Sequence, residues 1–140
     1  MEDLNKYTEN EQMGTTSSAF ITDVTNIVRD VKKYLMSVQE FQSPTYTQVQ
    51  DTKFMIENYG AVTQANSKVL DYIRECEFKI TICKEAMNSI ELNTVLNQRI
   101  HGQLKNLHNS LKNLLDPLYT EEKRMDRILR FYEKTYNTFM

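Results

Sequence analysis

The chain has 140 residues, a formal net charge of −2, 40% apolar and 26% charged side chains, with only three glycines, two prolines and two cysteines. That length bounds it near one domain, and so few backbone punctuators favour long helices over many turns. The charge balance excludes the strongly basic profile of a dedicated nucleic-acid binder, and two cysteines exclude a disulfide framework. Four acids (Glu2, Asp3, Glu9, Glu11) against Lys6 make residues 1–16 acidic, whereas residues 92–140 carry eight basic and five acidic side chains.

Residues 1–16 read as a mobile, polar, acidic tail, and residues 17–140 as a single helical-bundle domain. The first helix is expected over about 18–42. Phe20, Val24, Ile27, Val31, Tyr34, Val38 and Phe41 recur at 4-3 spacing, and Ile21, Val28 and Leu35 widen the stripe as in a bundle. Ser43-Pro44 ends it, because the residue before proline is driven out of the α region and proline suits the first turn of a new helix.

The second helix is expected over about 45–90. Met55, Tyr59, Val62, Asn66, Val69, Ile73, Cys76, Ile80, Cys83, Met87 and Ile90 keep one 4-3 phase. Gly60 costs about 1 kcal/mol relative to alanine and marks either a kink or a break, and the unchanged phase favours the kink. Asn66 is the polar member of this row. A buried asparagine there sets register or oligomer state at some cost in stability, or belongs to a loosely packed hinge after Gly60.

Glu91-Leu92-Asn93-Thr94 shifts the pattern and is read as a turn, the alternative being that the second helix continues through it, with a third helix over about 94–115 carrying Leu96, Ile100, Leu104, Leu107, Leu111 and Leu114. Asp116-Pro117 offers an N-cap and N1 pair for a fourth helix over about 118–138. The phase through Leu118, Met125, Ile128 and Tyr132 is preserved, so these two helices are alternatively one rod kinked at Pro117. The expected fold is all-α: an elongated antiparallel helical bundle or coiled coil of three to four helices. Phe131, Tyr132, Tyr136, Phe139 and the turn at Phe20 are expected as aromatic ends that cap the bundle.

Candidate chemistry is sparse. Cys76 and Cys83 are seven residues apart. On one helix their Cα atoms lie about 10 Å apart, beyond the roughly 4.4–6.8 Å a disulfide spans, and the spacing does not match a structural zinc site. They read as small core residues, with a contact across an oligomer seam as the other option. His101 and His108 flank the leucine row with no further ligands at suitable spacing. Glu75–Lys79 and Asp126–Arg130 are i,i+4 helix pairs. No glycine-rich phosphate loop, general acid or general base is singled out, so no enzyme, metal or cofactor is expected.

The expected function is a non-enzymatic adaptor or scaffold subunit that assembles a multiprotein complex by helix pairing, as a homo- or hetero-oligomer. Its protein-interaction seam is Val69, Ile73, Cys76, Ile80, Cys83, Met87, Leu104, Leu107 and Leu111. The alternative is a helical module binding an anionic membrane or nucleic acid through the basic stripe Lys123, Arg124, Arg127, Arg130 and Lys134. No signal-peptide or membrane-spanning run is seen, which points to a reducing compartment, cytoplasmic or nuclear.

Overall fold

A computed structural model of the chain describes residues 13–139. The expected tail over 1–16 lies largely outside these residues. Its last four, Met13 to Thr16, are helical, so the first helix begins earlier than the sequence pattern suggests. The described residues are all-α, with three long helices and one short one: α1 (Met13–Val38), α2 (Tyr46–Val49), α3 (Thr52–Ser89) and α4 (Val95–Phe139).

α1 stops at Val38, four residues before the expected end, and it does so without a glycine. Among the described residues none has positive φ, so the usual left-handed cap is absent here. The last turn tightens instead, with Glu40 N donating to Ser37 O at 3.3 Å and Phe41 N to Val38 O at 3.2 Å. The Arg124 guanidinium then donates to the Val38 carbonyl at 2.6 Å and to that of Phe41. A fixed cation beside the carbonyl end of a helix satisfies orphan acceptors and opposes the helix dipole.

The expected helix over 45–90 is divided. Thr45 caps α2 in a capping box, its Oγ1 accepting from Gln48 N at 3.3 Å while Gln48 Oε1 accepts from Thr45 N at 2.9 Å. That helix lasts only four residues. Asp51 is the reason, because its Oδ1 accepts from Phe54 N at 3.1 Å and starts α3 afresh. From Thr52 to Ser89 the helix is unbroken through Gly60, whose Cα faces open space.

The turn expected at 91–94 is present. Thr94 Oγ1 accepts from Asn97 N at 3.0 Å and opens α4. That helix then runs through Pro117 to Phe139, so the two expected helices 94–115 and 118–138 are one. Proline removes the N–H that would serve the Asn113 carbonyl. Both Asn113 and Pro117 are exposed, so that carbonyl can be solvated, and the apolar row continues in phase on the other side.

The helices fold into two compact units. In the unit formed by residues up to Lys32 and by Arg74–Leu115, the core is Phe20, Val24, Val28 and Val31 of α1, Cys76, Ile82, Cys83, Ala86 and Ile90 of α3, and Ile100, Leu104, Leu111 and Leu114 of α4. In the unit formed by Lys33–Ile73 and the chain from Asp116, it is Leu35 and Val38, then Val62, Ala65, Val69 and Ile73, then Leu118, Met125, Ile128 and Tyr132. Within α3 the small residues Ala65 and Ala86 are buried, and their neighbours Asn66 and Met87 stand half-buried beside them. A methyl group lets helix axes approach where an amide or thioether would hold them apart. Threonines inside the helices are accommodated by back-bonding: Thr25, Thr63 and Thr120 donate to the carbonyls of Ile21, Tyr59 and Asp116 at 2.7–2.9 Å. No described helix is long and apolar enough to cross a membrane.

Candidate functional site

The residues of the expected interaction seam mostly face this chain's own helices. Val69, Ile73, Cys76, Cys83, Leu104 and Leu111 are buried, and Ile80, Met87 and Leu107 are half-buried. A side chain with no exposed surface reaches a partner only if the unit around it opens, so in the folded chain it is chiefly Ile80, Met87 and Leu107 of this row that offer surface.

Cys76 and Cys83 are free thiols with no exposed surface. Burial pushes the Cys76 thiol up to about 11, with Glu75 and Glu77 adding to it. It pushes Cys83 up to about 12, with Lys79 opposing. Both therefore stay protonated and poorly nucleophilic near neutral pH. Lys79 itself is drawn inward, its side chain only 12% exposed. Its ammonium lies 3.7 Å from Glu75 Oε1 and 5.9 and 5.6 Å from the centres of the Phe20 and Phe78 rings. The stem covers apolar surface while the head meets a carboxylate and two ring faces. His101 and His108 are half-buried flank residues. Among the described residues, no group of three His, Cys, Asp or Glu side chains is placed to hold a metal ion.

Asn66 is half-buried and its Oδ1, which is buried, accepts no hydrogen bond. Beside it, Tyr34 donates to the Ala65 carbonyl at 3.2 Å, its ring lies 5.5 Å from that of Tyr72, and Lys68 Nζ stands 4.7 Å from the Tyr34 ring centre. Burial and the neighbouring Tyr72 raise the Tyr34 phenol.

The basic stripe is thinner than its spacing suggests. Arg124 is turned inward onto Val38, Phe41 and Glu121, the last at 2.7–2.8 Å. Its role is a helix cap rather than an anion contact. Arg130 pairs with Asp126 at 2.9 Å, and Lys123, Arg127 and Lys134 are exposed.

One surface was not singled out by spacing. Arg124 marks the level at which α1 ends against α4. Tyr132 lies about two turns further along α4, where α3 and α4 continue beyond the end of α1. There a groove of about 340 Å³ is lined by Met55, Ile56, Tyr59, Tyr132 and Glu133. Ile56 is 68% exposed, and Phe131 and Tyr59 are also exposed. The rings of Tyr59 and Tyr132 meet edge to face with centres 6.1 Å apart. Asn58 Nδ2 donates to the Tyr132 hydroxyl. The Tyr59 hydroxyl donates to Glu133 Oε1 at 3.2 Å, and this bond to a carboxylate raises the Tyr59 phenol. The groove is thus an apolar and aromatic wall held by two hydrogen bonds, with one oriented carboxylate at its rim. Its sequence signals were the aromatic cluster near Tyr132 and the adjacent Met55 and Ile56, which cannot all face one core.

Comparison of the chain with protein-family models, curated proteins and solved structures finds no match.

Proposed function

We propose that the chain is a non-enzymatic helical adaptor or scaffold subunit, and that it engages a protein helix in the groove between the start of α3 and the end of α4. The observation that supports this most is the run of exposed apolar side chains beyond the end of α1: Ile56, Tyr59 and Phe131 around the buried Tyr132. A third helix laid there would pair with α3 and α4 in the coiled-coil manner that the 4-3 rows favour. Large apolar side chains grouped on a surface mark interaction sites, whereas scattered single ones do not. A stoichiometric protein that co-purifies with the native chain and is lost from Ile56→Asp, at unchanged helical circular dichroism, is the expected result. An unchanged set of associated proteins in that variant contradicts the proposal.

The alternative, binding of a polyanion through the last helix, has less support because Arg124 and Arg130 are engaged within the chain.

A further inference from the structure

The groove has a definite chemistry. Its wall takes aliphatic or aromatic side chains, and Glu133 at the rim favours a cation beside them. Arginine suits that place best, since its plane stacks on tyrosine and its fork meets a carboxylate. A helical segment with aliphatic side chains and a cation one turn later fits this chemistry.

The chain carries such an element at the turn from α3 to α4. Leu92, Val95 and Leu96 are 52%, 73% and 55% exposed. No other stretch of the described residues exposes three large aliphatic side chains so close in sequence. Arg99, also exposed, lies four residues after Val95 and three after Leu96, so it shares their face of α4. Three polar side chains of the turn bond to its own backbone instead. Asn97 Nδ2 donates to the Glu91 carbonyl at 2.9 Å, Gln98 Nε2 to that of Leu92 at 3.1 Å, and Thr94 caps the helix. The turn is held by its own polar groups, and its aliphatic side chains are left presented to solvent in a fixed arrangement, which lowers the entropic cost of docking.

We infer that the groove of one copy takes the Leu92–Val95–Leu96 turn of a second copy, with Arg99 of that turn meeting Glu133. This rests on the groove being a protein-docking site and names its occupant. The two surfaces differ, so the contact is head-to-tail, and it builds a closed ring or an open row of copies according to the rotation it imposes.

The test uses sedimentation equilibrium of the full chain over a wide concentration range, with circular dichroism to confirm folding. The wild-type chain is expected to associate as its concentration rises. Ile56→Asp, which blocks the groove, and Val95→Asp, which blocks the turn, are each expected to weaken association about tenfold or more. An equimolar mixture of the two variants is expected to give a 1:1 dimer and nothing larger, because one intact groove and one intact turn remain. Arg99→Glu and Glu133→Arg should each weaken association, and together restore it. A chain monomeric at all concentrations overturns the inference, as does a mixture that stays monomeric. Loss of association in Ile56→Asp with none in Val95→Asp also overturns it, since that points to a groove-to-groove contact. If the chain is monomeric but Ile56→Asp still sheds a co-purifying protein, the second copy is the wrong occupant and the adaptor reading stands. If neither effect is seen, both fail.

Discussion

Arg124 and the two cysteines show how single side chains settle questions that spacing left open. Arg124 belongs by position to a basic stripe, yet its guanidinium closes α1 by serving the Val38 and Phe41 carbonyls while Glu121 holds it in place. Arg124→Ala leaves those carbonyls unserved and is expected to cost about 2 kcal/mol, read as a lower urea midpoint at unchanged m-value. Arg124→Lys should recover only part, because an ammonium cannot reach both carbonyls and the carboxylate in the same geometry. For the thiols, a pKa near 11 rather than 9.0 means about a hundredfold less thiolate at neutral pH. The native chain should react with a bulky disulfide reagent at least about a hundredfold more slowly than the urea-unfolded chain. Rapid native reaction would show that the thiols stand on an open face. The sign of the linked stability follows: both thiols are raised on folding, so their contribution is complete below about pH 9 and declines as pH rises towards 11 and 12. Replacing both by alanine should flatten the stability profile over that alkaline window.

The helices themselves were largely legible, because a 4-3 apolar row over several turns has no competing interpretation. α3 and α4 carry such rows, and their existence could be read directly, whereas the turn at 91–94, with no glycine or proline, showed only as a shift of phase. The ends were less legible for local reasons. Asp51 competes for the amides of the next turn and splits the expected second helix. The end of α1 is set by an arginine distant in sequence. Pro117 was ambiguous because a proline at N1 and a proline tolerated inside a helix look alike in sequence. The continuous phase from Leu114 to Tyr132 was the better guide. Since Pro117 sits inside α4 on an exposed face, Pro117→Ala restores one backbone hydrogen bond and should stabilise the chain by about 1–3 kcal/mol, visible as a higher melting temperature. A loss of stability would mean that the proline has a role in the helix that its exposure does not show. Gly60 is a milder case: its position has room for a methyl group, and Gly60→Ala should add up to about 1 kcal/mol.

For the whole molecule, the apolar rows divide into those the chain covers itself and those it leaves open. Periodicity could not make that division, because a heptad row looks the same whether its partner helix lies in the same chain or another. Val69, Ile73, Cys76 and Leu111 are covered within the chain, whereas Ile56, Tyr59, Phe131, Val95 and Leu96 are not. The same accounting bears on the last helix: with Arg124 and Arg130 occupied, changing Arg127 and Arg130 to glutamate is expected to leave association with anionic vesicles and nucleic acid at the wild-type level. A steep loss that also depends on salt would instead favour the polyanion reading. The central claim, docking at the open end of α3 and α4, is tested most directly by the native size of the chain in the cell it comes from, compared with that of Ile56→Asp. The wild-type chain should elute in an assembly with defined stoichiometry, and the variant as a smaller species with the same helical content and melting temperature. Co-elution of the two at one size would contradict it.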